Sequence, residues 1–369
     1  MKQLQIRPVI YEFENFGQFA KEFQLTDADL ILTNEYIYNP MISQYGVPCQ
    51  TIFQEKYGAG EPSDTMVDGI LAEMNSKPVD RIIAVGGGTV IDIAKVLSVS
   101  NNTEHVDDLY DDMAGLKQHH QLFIIPTTCG TGSEVTNIAI VNRTKLGTKQ
   151  GLVAEALFAS AAVLIPEFMT TLPYGVFTTS SIDALIHAVE SFLNPISTPY
   201  TELFARAAMK EILTGYQVVA GDRDAAKRLG AMFLRAANYA GIAFATAGCG
   251  AVHAMSYALG GKYHVAHGES NYQFFLPVLD LYRKKAPEGK IRVLDGILAE
   301  LLGTDDGIEG LRALLEQILP RKAMREYGAV QEDIMPFAQS TVDSQQRLLA
   351  DSYVPLSLEE IRDLFQGCL

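Results

Sequence analysis

One aspartate and three histidines, carried by two separated stretches of chain, have the types and spacing to hold a single cation. Asp183 and His187 lie in SIDALIHAVE, and His253 and His267 lie in HAMSYALGGKYHVAHG. An Asp and a His four positions apart leave the same face of a helix, so both can reach one ion from a rigid element. His253 and His267 would complete the shell from a later helix and the turn after it. Nitrogen and oxygen ligands without a thiolate suit Fe²⁺, Zn²⁺ or Mn²⁺ better than Cu⁺ or an iron-sulfur cluster. Taken singly, each histidine is more often a hydrogen-bonded core residue, and an Asp at this spacing can merely cap or pair. Their weight comes from occurring together with a glycine-rich nucleotide-type loop upstream, because a polarising metal and a bound cofactor together make a reaction centre.

That loop follows a buried-strand pattern, RIIAV at residues 81–85, and runs through Gly86, Gly87 and Gly88 into TVIDIAKVLSVS, whose apolar residues repeat at helical spacing. A strand, a turn without side chains and a helix start make an anion-binding arrangement: glycines admit a pyrophosphate to the backbone, and the helix start offers free N–H groups. Thr89 could add a hydroxyl or cap the helix, and Asp92 sits one turn in. The pattern is not the GxGxxG fingerprint, and a tight strand-to-helix turn explains a triple glycine about as well. A second strand end is richer. Ile124, Ile125 and Pro126 lead into Thr127, Thr128, Cys129, Gly130, Thr131, Gly132, Ser133 and Glu134, a concentration of hydroxyls suited to a nucleotide's ribose, phosphate and amide. Cys129, with no basic neighbour in sequence, reads as structural.

The elements that must position these groups change character along the chain. Up to about Leu172, short apolar runs (DLILTN, RIIAVGGG, QLFIIPTT, AAVLIPEF) alternate with amphipathic stretches, which predicts a parallel sheet covered by helices. Beyond it, SIDALIHAVESFL, TELFARAAMKEILTGYQVV and AAKRLGAMFLRAANYAGIAFA are helical with almost no strand signal. The expected organisation is an α/β dinucleotide-binding domain over residues 1–171 and an all-α metal- and substrate-binding domain over 172–369. A cleft between the halves would be the natural place for cofactor and metal to meet.

Composition narrows the partners. At 369 residues, two domains are the natural division, and a formal net charge of −15 with no long Lys/Arg run argues against nucleic acid. The four cysteines are scattered without a CxxC pair, which favours a reducing, cytoplasmic setting. No signal-peptide pattern or run of about 18 apolar residues is present, so a membrane is not an expected partner.

GGGTVIDIAK, PTTCGTGSEVT, DALIHAVES and HAMSYALGGKYHVAHG resemble, in order and spacing, the signature segments of the iron-containing (group III) alcohol dehydrogenase family. The similarity runs from LILTNEYIYNP through GEPSD to RKAMREYG and QQRLLADSY. The resemblance implies the fold these enzymes share with dehydroquinate synthase relatives, NAD as cofactor, Fe²⁺ (alternatively Zn²⁺) as metal, and a homodimer or larger homo-oligomer. It makes Asp183, His187, His253 and His267 the metal ligands. Asn34, Gly87, Gly88, Thr89, Asp92, Thr127, Thr128, Thr131 and, more weakly, Lys149 become cofactor residues. Asn34 stands where many relatives carry an Asp beside the adenosine ribose, and Glu35 next to it is the candidate to restore that charge. Tyr257 replaces a histidine able to relay protons, Ala266 replaces a proline, and His264 is the alternative relay to Tyr257.

The implied chemistry is reversible hydride transfer between NAD(H) and a short-chain alcohol or aldehyde, 4-hydroxybutyrate and succinate semialdehyde being the expected pair. A small alcohol or diol of the 1,3-propanediol or lactaldehyde type is the alternative, and a non-redox metal- and NAD-dependent lyase or cyclase on the same fold is a further one. A substrate carboxylate would need a cation, for which Lys262, Arg321, Lys322, Arg325 and Arg347 are the candidates.

Overall fold

The computed structural model describes residues 2–369, which form two compact units: Ile6–Leu172, and Pro173–Leu369 together with residues 2–5. The terminal stretch joins the second unit through backbone contacts, the Gln3 carbonyl accepting from the Thr198 hydroxyl at 2.7 Å and the Gln5 N–H donating to Thr246 Oγ1 at 3.3 Å.

The first unit is built on a parallel six-stranded sheet in the order β1-β8-β5-β4-β2-β3. The strands are β1 (Val9–Glu12), β2 (Asp29–Thr33), β3 (Gln50–Phe53), β4 (Arg81–Gly86), β5 (Gln121–Pro126) and β8 (Ala161–Leu164). A separate antiparallel pair, β6 (Ile138–Arg143) and β7 (Thr148–Val153), follows β5. Side chains alternate across a strand, so each central strand feeds two cores. Leu30, Leu32, Ile82, Ala84, Leu122 and Ile124 pack on one face with helices α3 (Asp64–Met74) and α4 (Gly88–Val99). Ile31, Ile83, Val85, Phe123, Ile125 and Val163 pack on the other with Phe16 and Phe19 of α1 (Phe16–Glu22). Burial on both faces is why β4 and β5 read as unbroken apolar runs.

Parallel neighbours bring their C-terminal ends to one edge. Gly86 pairs with Pro126, and the Thr127 N–H donates to the Gly86 carbonyl at 3.1 Å, so the glycine turn and the hydroxyl-rich loop start side by side. One strand further, Thr33 at the end of β2 donates its hydroxyl to the Val85 carbonyl at 2.7 Å. The short helix α2 (Glu35–Ile37) begins just beyond, with Asn34 as its N-cap residue.

The second unit is all helical. Its helices include α5 (Tyr174–Leu193), α6 (Pro199–Val219), α7 (Ala225–Arg228), α8 (Gly230–Ala247), α9 (Ala251–Tyr263) and α10 (His267–Lys285). Helix α5 is buried along most of its length, whereas a surface helix keeps a polar face. Thr198 caps α6 by accepting from the Thr201 N–H, with the Thr201 hydroxyl accepting from the Thr198 N–H in return. Among the described residues no single helix is long and apolar enough to cross a membrane; the apolar pair α8 and α9 turns by 106° at its break. Gly268, the second residue of α10, packs against α5 where nothing larger fits: a Cβ there would lie 2.1 Å from the Thr179 carbonyl oxygen and 3.1 Å from Asp183 Cβ. That close approach sets His267 beside Asp183.

Candidate metal centre and cofactor loops

Three helices of the second unit converge on one spot. Asp183, His187 and Glu190 occupy successive turns of α5, His253 lies in the first turn of α9, and His267 opens α10. Asp183, His187, His253 and His267 each offer a ligand atom, all four within 4.8 Å of one another. The Nε2 atoms of His187 and His253 are 3.0 Å apart, and Asp183 Oδ1 lies 3.8 Å from both His253 Nε2 and His267 Nε2. The first three residues are buried, and His267 is partly exposed.

The side chains of this cluster are held from behind. His253 Nδ1 lies 2.6 Å from Glu190 Oε2, while Glu190 Oε1 accepts the Val252 N–H at 2.8 Å. An imidazole whose Nδ1–H is committed to a carboxylate keeps the Nε2 lone pair for a metal. His187 stacks on Phe244 with centroids 4.3 Å apart. Asn271, one turn after His267 on α10, donates from Nδ2 to Asp183 Oδ1 at 2.7 Å. Burial on its own would raise the Asp183 carboxyl; His187, His267, His253 and the Asn271 hydrogen bond outweigh it and hold the group below its ordinary value. An anionic carboxylate among three imidazole nitrogens is a donor set that fits a divalent cation. Cys249 also comes within ligand distance of Glu190 and His253, but burial pushes its thiol up, which disfavours a thiolate ligand.

Of the residues expected to meet the cofactor, Asn34, Gly87, Gly88, Thr127, Thr128 and Thr131 follow the C-terminal ends of β2, β4 and β5, whereas Asp92 lies within α4 and Lys149 in β7 of the separate pair. Gly87 and Gly88 open α4, and a Cβ on Gly88 would press Thr131 at 3.1 Å. Thr127 is buried, Thr128 and Thr131 are partly exposed, and the Thr89 hydroxyl donates to the Gly60 carbonyl at 3.0 Å. Asp92 is committed to protein contacts: its oxygens accept from the Ser133 hydroxyl at 2.7 Å and the Ile140 N–H at 2.9 Å. Asp92 therefore anchors the hydroxyl-rich loop from below. Lys149 pairs with Glu61. The Asn34 amide donates to Gln54 Oε1 at 3.1 Å and to Glu55 Oε2 at 2.9 Å.

The two relay candidates fare differently. The Tyr257 ring centroid is 6.3 Å from that of His267, placing it next to the cluster. His264 is exposed and caps α9 in the left-handed region at φ 53°, outside the cluster. Of the cations considered for a substrate carboxylate, Lys262 pairs with Asp333, Lys322 with Glu269 at 3.2 Å, Arg321 donates to the Gln273 carbonyl at 2.9 Å, and Arg325 donates to the Leu369 carbonyl.

Sequence reasoning missed Glu190, Asn271 and Lys95. The first two sit one helical turn from a residue of the cluster, three residues after His187 and four after His267, and that spacing was the available signal. Lys95 is wholly buried and donates to Ser133 Oγ at 2.7 Å, Thr136 Oγ1 at 2.8 Å and the Ile138 carbonyl at 2.8 Å. Its place three residues after Asp92 on a helix was the clue.

Both units match one known family over most of their length. Residues 6–166 match iron-containing alcohol dehydrogenase, and residues 177–369 match the C-terminal part of the Fe-containing alcohol dehydrogenase family. The chain belongs to the iron-containing alcohol dehydrogenase family and is an oxidoreductase of that class. Within it, the chain is 45% identical over 369 residues to 4-hydroxybutyrate dehydrogenase of Clostridium kluyveri, covering 99% of each. It is 29% identical over 353 residues to long-chain-alcohol dehydrogenase 1 of Geobacillus thermodenitrificans, covering 90% of this chain and 88% of the other. Among solved structures, sulfoacetaldehyde reductase from Bifidobacterium kashiwanohense in complex with NAD⁺ has the same fold, with a TM-score of 0.86 at 19% identity over 100% of this chain and 98% of the other.

Proposed function

We propose that this enzyme is an NAD-dependent dehydrogenase that interconverts 4-hydroxybutyrate and succinate semialdehyde, with Asp183, His187, His253 and His267 holding a divalent cation, Fe²⁺ before Zn²⁺. The observation that carries the reading is the convergence of those four ligand atoms within 4.8 Å on a chain 45% identical to a 4-hydroxybutyrate dehydrogenase. When bound, the cation supplies a Lewis acid for an alcohol or carbonyl oxygen, and the nicotinamide supplies the hydride acceptor or donor. The chain's own part is to fix these groups. Glu190 sets the His253 tautomer, Asn271 orients Asp183, and Gly87, Gly88, Thr127, Thr128 and Thr131 leave room and hydrogen-bonding groups for the dinucleotide. The role assigned to Tyr257, whose ring centroid is 6.3 Å from that of His267, is to pass a proton to solvent through its hydroxyl.

Arg347 is the cation proposed for the substrate carboxylate. The other four candidates are bonded to protein groups away from the cluster, whereas Arg347 is exposed on the short helix Gln346–Ala350, with Asp351 as its charged neighbour. Its neighbour Leu348 packs with Cys249 and Ala254, beside Phe244 and Tyr257, which themselves flank His187 and His267. A homodimer and a cytoplasmic setting belong to the same reading. The outer strand β1 exposes Val9 and Ile10, an edge a second copy can cover, and all four cysteines are free.

The test is NADH formation from NAD⁺ with 4-hydroxybutyrate, 1-butanol and 1,3-propanediol offered separately to Fe²⁺-loaded protein. A kcat/KM highest for 4-hydroxybutyrate supports the assignment. Preference for the diol overturns the substrate, and conversion without net NADH moves the enzyme to the non-redox class.

A further inference from the structure

Asn34 cannot do electrostatically what an aspartate does at the end of this strand, yet the site is not without a carboxylate. Glu55, from the turn after β3, reaches across to it. Its Oε2 accepts from the Asn34 amide at 2.9 Å, and its Oε1 accepts from the Glu35 N–H at 2.6 Å, so both oxygens are pinned at the N-terminus of α2. The Asn34 amide is buried and also held by Gln54 Oε1, so the clasp is rigid. Among the described residues Glu55 has no ion pair; the adjacent Lys56 ammonium lies over the Phe53 ring instead, 4.9 Å from its centroid. A carboxylate has about four lone-pair sites, and two donors leave the rest available to a ligand.

We propose that Glu55 is the residue that selects NAD over NADP, its carboxylate taking the ribose 2′-hydroxyl and repelling a 2′-phosphate. This rests on the cofactor reading above and deepens it. The position supports the role: the clasp sits past the C-terminal end of β2, and Thr33 there is bonded to Val85, the residue before the glycine turn, at 2.7 Å. In open parallel sheets the acidic residue that meets the ribose stands at the strand end next to the phosphate-binding turn. Here the clasp supplies that acid from the neighbouring strand. Glu35, one residue after Asn34, contributes its backbone N–H to the clasp, and its own side chain is exposed.

Binding of NAD⁺ and of NADP⁺ to the holoenzyme without substrate, measured by isothermal titration calorimetry, tests the assignment independently of turnover. Glu55→Gln keeps the shape and one acceptor while removing the charge. The ratio of NADP⁺ to NAD⁺ dissociation constants should fall by about tenfold or more in Glu55→Gln, the like-charge penalty being lost, and should stay within about twofold of wild type in Glu35→Gln. An unchanged ratio in Glu55→Gln, or a fall in Glu35→Gln alone, overturns the role of Glu55 while leaving NAD as the cofactor. Wild-type protein that binds both dinucleotides equally also overturns it, whereas wild-type protein that binds neither overturns the cofactor reading itself.

Discussion

Glu190 Oε2 and His253 Nδ1 stand 2.6 Å apart, and that contact decides which nitrogen of His253 faces Asp183, His187 and His267. The Glu190→Gln variant can present its amide N–H to Nδ1 and so favour the opposite tautomer. Cation affinity, measured by competition with a chromophoric chelator using Zn²⁺ or Co²⁺, should weaken by about 10- to 100-fold. Affinity equal to wild type would mean that the carboxylate only packs there.

The buried ammonium of Lys95 ties α4 to the loop after β5. Burial lowers it to about 8, with Asp92 and Glu134 pulling the other way. In Lys95→Met the Ser133 and Thr136 hydroxyls and Asp92 lose their common partner, and breaking such a network costs about 3 kcal/mol or more. Urea unfolding should show this loss, and the KM for NAD⁺ should rise more than kcat falls, because the hydroxyl-rich loop loses its anchor. A change in stability with KM untouched would limit Lys95 to a structural role.

Lys262 and Tyr263 both donate to Asp333, which closes the C-terminal end of α9. Burial opposes the charge, but these two donors and the Val330 N–H hold the Asp333 carboxyl at about 2, against an ordinary 3.8. The folded pKa is the lower one, so the stabilisation is complete above about pH 4 and is lost as pH falls through 2. Wild type should therefore exceed Asp333→Asn in Tm at pH 5 to 7, and the gap should close between pH 4 and 2. A gap that is constant with pH would assign the difference to packing.

Arg347→Ala should separate charged from uncharged substrates. Loss of a charge-assisted hydrogen bond predicts a fall of about 10- to 100-fold in kcat/KM for 4-hydroxybutyrate relative to 1-butanol. A ratio that does not move would exclude Arg347 from the substrate site.

How much of this could be read from the chain depended on where each signal was written. Strands β4 and β5 were legible because burial on both faces leaves continuous apolar runs. Strands β1 and β3 were not, since an edge strand such as VIYE or QTIF shares its faces with solvent and polar residues. The β6–β7 pair was missed for the same reason, TKQGLV being mostly half-exposed. Asp183, His187, His253 and His267 stood out by residue type and spacing, and the fold brings them together. Glu190 and Asn271 looked like ordinary helix residues until the helix faces were known. Glu55 left no trace in the local sequence of Asn34, because it arrives from the neighbouring strand; proximity in a parallel sheet is set by strand order, which composition does not reveal.

The most direct measurement pairs metal content with turnover in one preparation. Protein stripped by a chelator, reloaded with Fe²⁺ and assayed by elemental analysis alongside NADH formation from 4-hydroxybutyrate should bind about one ion per chain, with activity rising in proportion. The His267→Ala and Asp183→Ala variants should show both quantities collapse together. Full turnover in stripped wild-type protein, or an unchanged ion content in both variants, would contradict a cation held by Asp183, His187, His253 and His267.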